Sequence, residues 1–329
     1  MFSFLKKTKP VISGTHSMYS GKCVSILREF KKPPYGGGNQ FMLALKKGME
    51  DLGVIVVNNE ISKKPDAYIF DSAWLDKNLL RKLRKLQNPL VAHRIDGPIQ
   101  LYRGSDRTAD DEIFELNREF ATVSIIQSQF TLKNLLSLGY QPINPVIIYN
   151  AVNPSIFFSE PQVEKHVGKI RIVSASWSDN PNKGGATYKW LDDNLDFNKI
   201  EYIFVGRIKE KLNNIKLIPP VDSEKLAKIL RKQDIYITAS ENDPCSNSLI
   251  EGLASGLPAI YRNSGGHSEL VKDAGLPFER PDHIPSQIEK IYENYESYRD
   301  NIKINTITDI AKQYLDAIFK QNTNLLSQK

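Results

Sequence analysis

Residues 234–256 read DIYITASENDPCSNSLIEGLASG. The first seven alternate and are rich in β-branched side chains, the pattern of a buried strand. Further on, Leu249, Leu253 and Leu257 recur at i, i+4 and i+8 with Ala254 on the same side, the spacing of a helix packed by one face. Between strand and helix lies a polar run with Pro244 and Cys245, in which Asn247 or Ser248 is the expected N-cap. A helix start leaves its first N–H groups without partners and carries a partial positive charge, so it attracts anions. An ordinary capped junction reads the same way locally, and the rest of the chain decides between the two.

Working outward, the same strand-then-helix unit recurs. CVSILREF, VIVVN, AYIFDS, PLVAHR, SIIQSQ and VIIYN read as strands of a first half, with helices at 39–52, 76–87, 111–121 and 131–138. KIRIVSAS, IEYIFVG, IKLIP, DIYITAS, PAIYRN and GLPFE read as strands of a second half, followed by helices at 284–303 and 307–321. Such alternation builds parallel sheets covered by helices. The stretch 149–168 breaks the rhythm with two prolines and a charged polar run, and reads as a linker. The expected fold class is α/β, with two Rossmann-like doubly wound domains facing a central cleft, over 1–155 and 156–303, and a final segment 304–329. Ligands of such sheets sit at the carboxyl ends of the strands.

Composition narrows the function classes. The chain has 329 residues, of which 40% are apolar and 25% charged, as in an ordinary globular protein too long for one core. Its two cysteines, Cys23 and Cys245, are too few for a disulfide framework. No apolar run approaches the ~18 residues of a membrane span, and no secretory signal opens the chain, so a cytoplasmic protein is expected. Residues 1–155 hold 21 Lys and Arg against 14 Asp and Glu, leaving 23 against 24 for the rest. Part of that excess lies on 75–87, where Leu75, Leu79, Leu83 and Leu86 face one way and Arg81, Lys82, Arg84 and Lys85 the others. That run reads either as a solvated helix on a sheet or as one lying on an anionic membrane surface. No signature of nucleic-acid binding appears.

The residues that carry chemistry stand at the strand ends. Gly37 and Gly38, within KKPPYGGGNQF, let backbone approach a ligand at a helix start. A dinucleotide fingerprint with Glu60 as the ribose acid fits poorly there, since Phe41 stands where its third glycine belongs. Lys183, within SWSDNPNKGG, is placed to meet a phosphate as a point charge. Gly206 and Arg207 close the next strand. Gly265 and Gly266 open a further helix that carries Glu269. His93 and Asp96 end the strand PLVAHR on the side where an acceptor would arrive, with Asp96 suited to orient or deprotonate a hydroxyl. The histidines are scattered and no Asp-x-Asp pair occurs, so no metal site is expected.

Taken together, these residues resemble the retaining, nucleotide-sugar-dependent glycosyltransferases of the family-4 type, which have the two-Rossmann GT-B fold. The resemblance spans nearly the whole chain and is sharpest at 240–271, where Asp243 and Glu251 stand with seven residues between them as the family's carboxylate pair does. It implies that Glu251 holds the ribose hydroxyls and that Ser246, Asn247 and Ser248 cradle the diphosphate. It implies further that Lys183 neutralises that diphosphate, that Gly37 and Gly38 face it across the cleft, and that a histidine near His93 contacts the donor sugar. Helix 307–321 would cross back onto the first domain. Two features depart from the family: Asp243 stands for a glutamate, and the arginine usually preceding the lysine is absent, with Arg207 available to replace it. The implied activity moves a hexose from a nucleoside-diphosphate sugar to a glycan or lipid-linked acceptor in cell-surface polysaccharide synthesis, with no cofactor and no metal. A nucleotide-sugar isomerase or epimerase on the same fold, or a non-catalytic nucleotide-sugar-binding protein, are the alternatives.

Overall fold

The computed structural model describes residues 17–32, 36–71, 76–104, 106–160 and 168–320. In the first domain the order is β1 (Cys23–Leu27), α1 (Gly37–Asp51), β2 (Ile55–Asn58), β3 (Ala67–Asp71), α2 (Lys77–Leu83), β4 (Val91–Ile95), α3 (Ile99–Arg103), α4 (Thr108–Phe120), β5 (Val123–Ile126), α5 (Gln129–Ser137) and β6 (Pro145–Ile147). In the second it is β7 (Ile170–Ser176), α6 (Gly185–Asn194), β8 (Ile200–Gly206), β9 (Lys216–Ile218), α7 (Ser223–Leu230), β10 (Ile235–Thr238), α8 (Asn247–Ala254), β11 (Ala259–Arg262), α9 (His267–Val271) and β12 (Gly275–Phe278). The helices α10 (Ile284–Glu293), α11 (Tyr295–Asp300) and α12 (Ile307–Phe319) follow. Residues 1–16 and 321–329 fall outside the described residues.

Each domain holds a six-stranded sheet, and all strand pairs are parallel. Every residue of β3 and β4 is buried, including the polar Asp71, His93 and Arg94, as expected of central strands covered on both faces. The second sheet runs β12-β11-β10-β7-β8-β9, the strand order of dinucleotide-binding domains. The first runs β2-β1-β3-β4-β5-β6, the other common doubly wound order, with a single strand outside β1. Strand order reverses between β1 and β3 in one domain and between β7 and β10 in the other. The described parts of the loops at those reversals, 28–32 with 36 and 177–184 together with 239–246, are therefore the ones that open toward a ligand.

The chain passes between the domains twice. Ala151 belongs to the first core and Phe157 to the second, while Ile302 packs on the second core and Ile307 lies in the first. Arg299 ties the two crossings together, donating from Nη2 to Ser159 Oγ at 3.0 Å and to the Glu160 carbonyl at 2.7 Å. The apolar face of α12, with Ile310, Ala311, Tyr314, Leu315 and Ile318, is buried in the first core against α1.

Two helices are shorter than their patterns. The run expected as a helix over 76–87 leaves helical geometry after Leu83 and continues as turns to Asn88, which adopts φ 47°. Leu79, Leu80 and Leu83 are buried, and Leu75 lies outside the described residues. Arg84 is thereby carried out of the helix and onto Glu119, with its guanidinium 5.4 Å from the centre of the Phe120 ring. The helix expected over 284–303 is broken at Asn294, whose Nδ2 donates to the Lys290 carbonyl at 3.0 Å and competes with the helix's own amides.

Candidate functional site

The loop after β7 makes one turn of 3-10 helix over Pro181–Lys183 and then reverses at Gly184, φ 80°. A Cβ at Gly184 would lie 2.4 Å from Ala239, so only glycine lets this loop reach the exit of β10. Backbone from the two loops joins there, Glu241 N donating to Asn182 O at 2.7 Å. The consequence is an ion pair, Lys183 Nζ to Asp243 Oδ2 at 2.7 Å, with the carboxylate 12% exposed and the ammonium 32%. Burial works against the Asp243 charge, but the Lys183 ammonium and the Cys245 N–H outweigh it and hold the carboxyl below its ordinary range.

Beyond Asp243 the chain enters α8. Its N-cap position is Ser246, one residue before those expected, and no side chain caps it. Ser246 Oγ instead lies 3.3 Å from Ser248 Oγ, so the first-turn amides remain the helix's own anion-binding end. One turn on, Glu251 is buried, and among the described residues its carboxylate makes no hydrogen bond or ion pair. Burial alone pushes its pKa up to about 8. It lines a pocket with Gly37, Gln40 and Phe41 of α1, the 151–157 crossing and Asn247. A buried carboxylate with no internal donor is suited to hydroxyl groups brought by a ligand.

The first-domain glycines meet this helix start from across the cleft. A Cβ on Gly37 would lie 2.7 Å from Asn247 Cβ, and one on Gly36 would lie 3.1 Å from the Trp177 ring. Gly38 faces open space. Arg207 follows β8, donates to Trp177 O at 3.0 Å and lies 4.3 Å over the Trp177 ring. Gly206 lets the chain turn beneath it, with Arg207 N donating to Ser176 O at 3.0 Å. Gly265 and Gly266 pack on the Asp243–Pro244 backbone, Gly266 N donating to Asp243 O at 3.0 Å. Thus Lys183, Gly206, Arg207, Asp243, Ser246, Asn247, Ser248, Glu251, Gly265 and Gly266 stand at the strand ends of the second sheet, with Gly37 and Gly38 opposite.

His93 does not join them. It is fully buried within β4, stacked on Phe70 at 4.1 Å, with Nδ1 3.2 Å from Asn117 Nδ2. Burial drives its pKa down to about 3, so it is a neutral core residue and not a ligand of the cleft. Glu60 is also removed from any ribose role, since its carboxylate accepts from Ser62 N and Ser62 Oγ in an exposed turn. Asp96 does reach the cleft side, 24% exposed, but in the company of Arg94 and Gln127, both of which donate to it.

That company is the part sequence reasoning missed. Arg94, 1% exposed, also donates to Gln127 Oε1 at 2.8 Å and to Asn150 Oδ1 at 3.1 Å. Asn150 Nδ2 in turn donates to Gln127 Oε1 at 3.0 Å and to Asn247 Oδ1 at 3.1 Å. A buried chain of polar groups therefore runs from Asp96 in one domain to the start of α8 in the other. The short helix α3 adds Tyr102, whose pKa is pushed up to about 12 by burial and by Asp96. Asn182 fixes α3 to the second domain through Leu101 O at 3.0 Å and Tyr102 O at 3.1 Å. The polar strand end at Gln127 and Asn150 was the available signal.

Two doubly wound domains with an anion-binding helix start in their cleft define the GT-B class of fold. Residues 198–308, within the second domain, match the model of one family, the glycosyl transferases group 1. Among solved structures, sucrose-phosphate synthase from Thermosynechococcus elongatus superposes with a TM-score of 0.66 at 14% identity, covering 93% of this chain and 98% of that one. Anabaena Alr3699/HepE in complex with UDP-glucose superposes with a TM-score of 0.63 at 14% identity, over 93% and 100%. A putative glycosyltransferase, YtcC of Bacillus subtilis (strain 168), is 25% identical over 139 residues, 40% of this chain and 32% of that protein. The chain thus matches about a third of the length of this curated relative.

Proposed function

We propose that the protein is a retaining glycosyltransferase of the family-4 type, moving a hexose from a nucleoside-diphosphate sugar to a glycan or lipid-linked acceptor in cell-surface polysaccharide synthesis. The observation that carries this reading is the grouping, in one cleft, of the Lys183–Asp243 pair, the uncapped start of α8 and the unpaired carboxylate of Glu251. In this reading Glu251 accepts from the ribose hydroxyls and Asp243 faces the sugar. Breaking the bond from the anomeric carbon to the phosphate oxygen puts negative charge on the departing diphosphate. Lys183, Arg207 and the first amides of α8 stabilise that charge as it develops. Asp96, steadied by Arg94 and Gln127, orients the acceptor hydroxyl, and a diphosphate oxygen takes its proton on the face that the leaving group vacates.

Among the described residues no three His, Cys, Asp or Glu side chains gather as a metal-ion set. In the proposed reaction Lys183, Arg207 and the α8 amides meet the charge on the diphosphate, and no metal or other cofactor is invoked. The proposed peripheral contact with an anionic membrane rests on Arg81, Lys82 and Lys85, which are exposed, since Arg84 is engaged with Glu119. Co-sedimentation with anionic vesicles that survives charge reversal at those three positions sinks it.

The central test is a screen of nucleotide sugars for release of nucleoside diphosphate, beginning with UDP-sugars because Anabaena Alr3699/HepE was solved with UDP-glucose. Acceptor-dependent release supports the proposal. Donor conversion that ignores added acceptors identifies an isomerase or epimerase instead, and nucleotide binding with no turnover identifies a binding protein.

A further inference from the structure

The contacts that join the domains differ in kind. Asn150, Asn180 and Asn182 make neutral hydrogen bonds across the boundary. Glu269, in α9, makes charged ones. Its Oε2 accepts from Gln129 N at 2.8 Å and from Tyr149 Oη at 2.8 Å, and its Oε1 accepts from Phe130 N at 2.8 Å. Gln129 and Phe130 open α5 of the first domain, where Ser128 Oγ already serves Thr131 N at 3.1 Å. A second-domain carboxylate thus completes the cap of a first-domain helix and meets the positive end of its dipole. Hydrogen bonds to an ionised group are about twice as strong as neutral ones.

The other side of α9 rests on the loop that carries Asp243. Gly266 N donates to Asp243 O at 3.0 Å. A Cβ on Gly265 would lie 2.3 Å from Asp243 O, and one on Gly266 would lie 2.5 Å from Pro244 O. Because α9 is only five residues long, Glu269 and this glycine pair move as one turn. The position of α9, set from the first domain, is passed directly to the Asp243 backbone.

We propose that Glu269 is a positioning residue that makes the alignment of Asp243 depend on closure of the two domains. When the domains part, the three bonds to Glu269 break together and the Asp243–Pro244 backbone loses its support on that side. The inference rests on the proposed role of Asp243 in turnover. Lys183, the α8 amides and Glu251 belong to the second domain, so they hold the nucleotide whether or not Glu269 is engaged.

The test compares Glu269→Ala, Glu269→Gln and Tyr149→Phe in the full chain. Amide exchange at Gln129 and Phe130 and small-angle scattering are read without ligand. Calorimetry with a nucleoside diphosphate and turnover of a donor sugar follow. Glu269→Ala is expected to speed exchange at both amides and enlarge the radius of gyration. Its nucleotide affinity should stay within about threefold of wild type while kcat falls at least about 20-fold. Glu269→Gln keeps an acceptor oxygen and should recover part of kcat, and Tyr149→Phe, which loses one bond of three, should lie nearest wild type. Unchanged exchange and scattering in Glu269→Ala overturn the inference whatever the donor proves to be. So does a kcat that stays level while exchange rises, or a nucleotide affinity that falls in step with kcat. Absence of turnover in the wild-type protein, with these structural readouts moving as described, counts against the proposed reaction and not against the latch.

Discussion

A carboxyl group with a pKa pushed up to about 8 changes charge where enzymes commonly work, and Glu251 does so inside the cleft. Its ordinary value is 4.5, so between those two pH values the folded state holds a proton that the unfolded chain has released. Glu251 therefore stabilises the fold fully at low pH, and that contribution is lost as pH rises toward 8 and beyond. Glu251→Gln should remove this slope, gaining on wild type by about 4 kcal/mol at pH 9 in denaturant unfolding and by little at pH 4. Ligand hydroxyls act oppositely, because they bond to the ionised form. Nucleoside diphosphate affinity should tighten from pH 6 to 8 in wild type, while Glu251→Gln should bind about tenfold more weakly at pH 8 with a flatter profile. A variant as tight as wild type at pH 8 removes Glu251 from the nucleotide site. Asp243 has the contrary environment and keeps its charge beside Lys183. Asp243→Asn should bind nucleoside diphosphate nearly as wild type does and lose turnover about 100-fold. Lys183→Ala should lose both, and full activity in Asp243→Asn sinks the catalytic assignment. At this scale the sequence separated charges well but not directions. His93 was read at a strand end, yet a polar residue inside a strand does not announce which face it takes, and this one lies on Phe70.

Between α1 and α12, Gly48 marks a close approach. It lies in the fourth turn of α1, where helix propensity alone makes Ala better than Gly by about 1 kcal/mol. Here a Cβ would lie 2.9 Å from Ile307 O and 3.1 Å from Ala311 Cβ of α12. Overpacking against backbone costs about 1–3 kcal/mol, so the sign reverses and Gly48→Ala should destabilise the protein. A rise in melting temperature shows that α12 gives way without cost. Elements with a repeating face were legible in the chain: twelve strands stand at the β-branched runs, and the stripe of Ile310, Tyr314 and Leu315 marks α12. Its partner was legible only through family resemblance, since nothing in that stripe names α1. The five residues of α3, IQLYR, carry no periodicity at all, because a helix of little more than one turn repeats nothing. Its position comes from Asp110, which accepts from Ile99 N at 2.8 Å and from Gln100 N at 3.0 Å.

Across the whole molecule, a single amide couples the two domains from within. Asn150 is 4% exposed and serves Arg94, Gln127 and Asn247 together. Asn150→Ala strips a partner from buried Arg94 and Gln127 and from half-buried Asn247, at about 1–3 kcal/mol for each group left unsatisfied where water does not enter. The variant should therefore lose at least about 2 kcal/mol of stability in denaturant unfolding, with weakened nucleotide binding because Asn247 is freed. Equal stability shows that solvent fills the gap. Beyond the polar strand ends at Gln127 and Asn150, no local pattern discloses such a hub, whose partners are drawn from three separate segments of the chain.

The placement of α12 bears on the order in which the molecule is made. Translation delivers α1 early, yet the side chains that cover its apolar face come from residues 307–319, after the entire second domain. Domains generally fold as units in the order they emerge from the ribosome. Here the second domain holds all of its own strands before α12 exists, so the domain that begins the chain is the later one to complete its core. In the interval Phe41, Leu45 and Met49, all buried in the finished fold, are without their α12 neighbours, and a nascent chain stalled before residue 307 presents that surface to whatever binds exposed apolar groups.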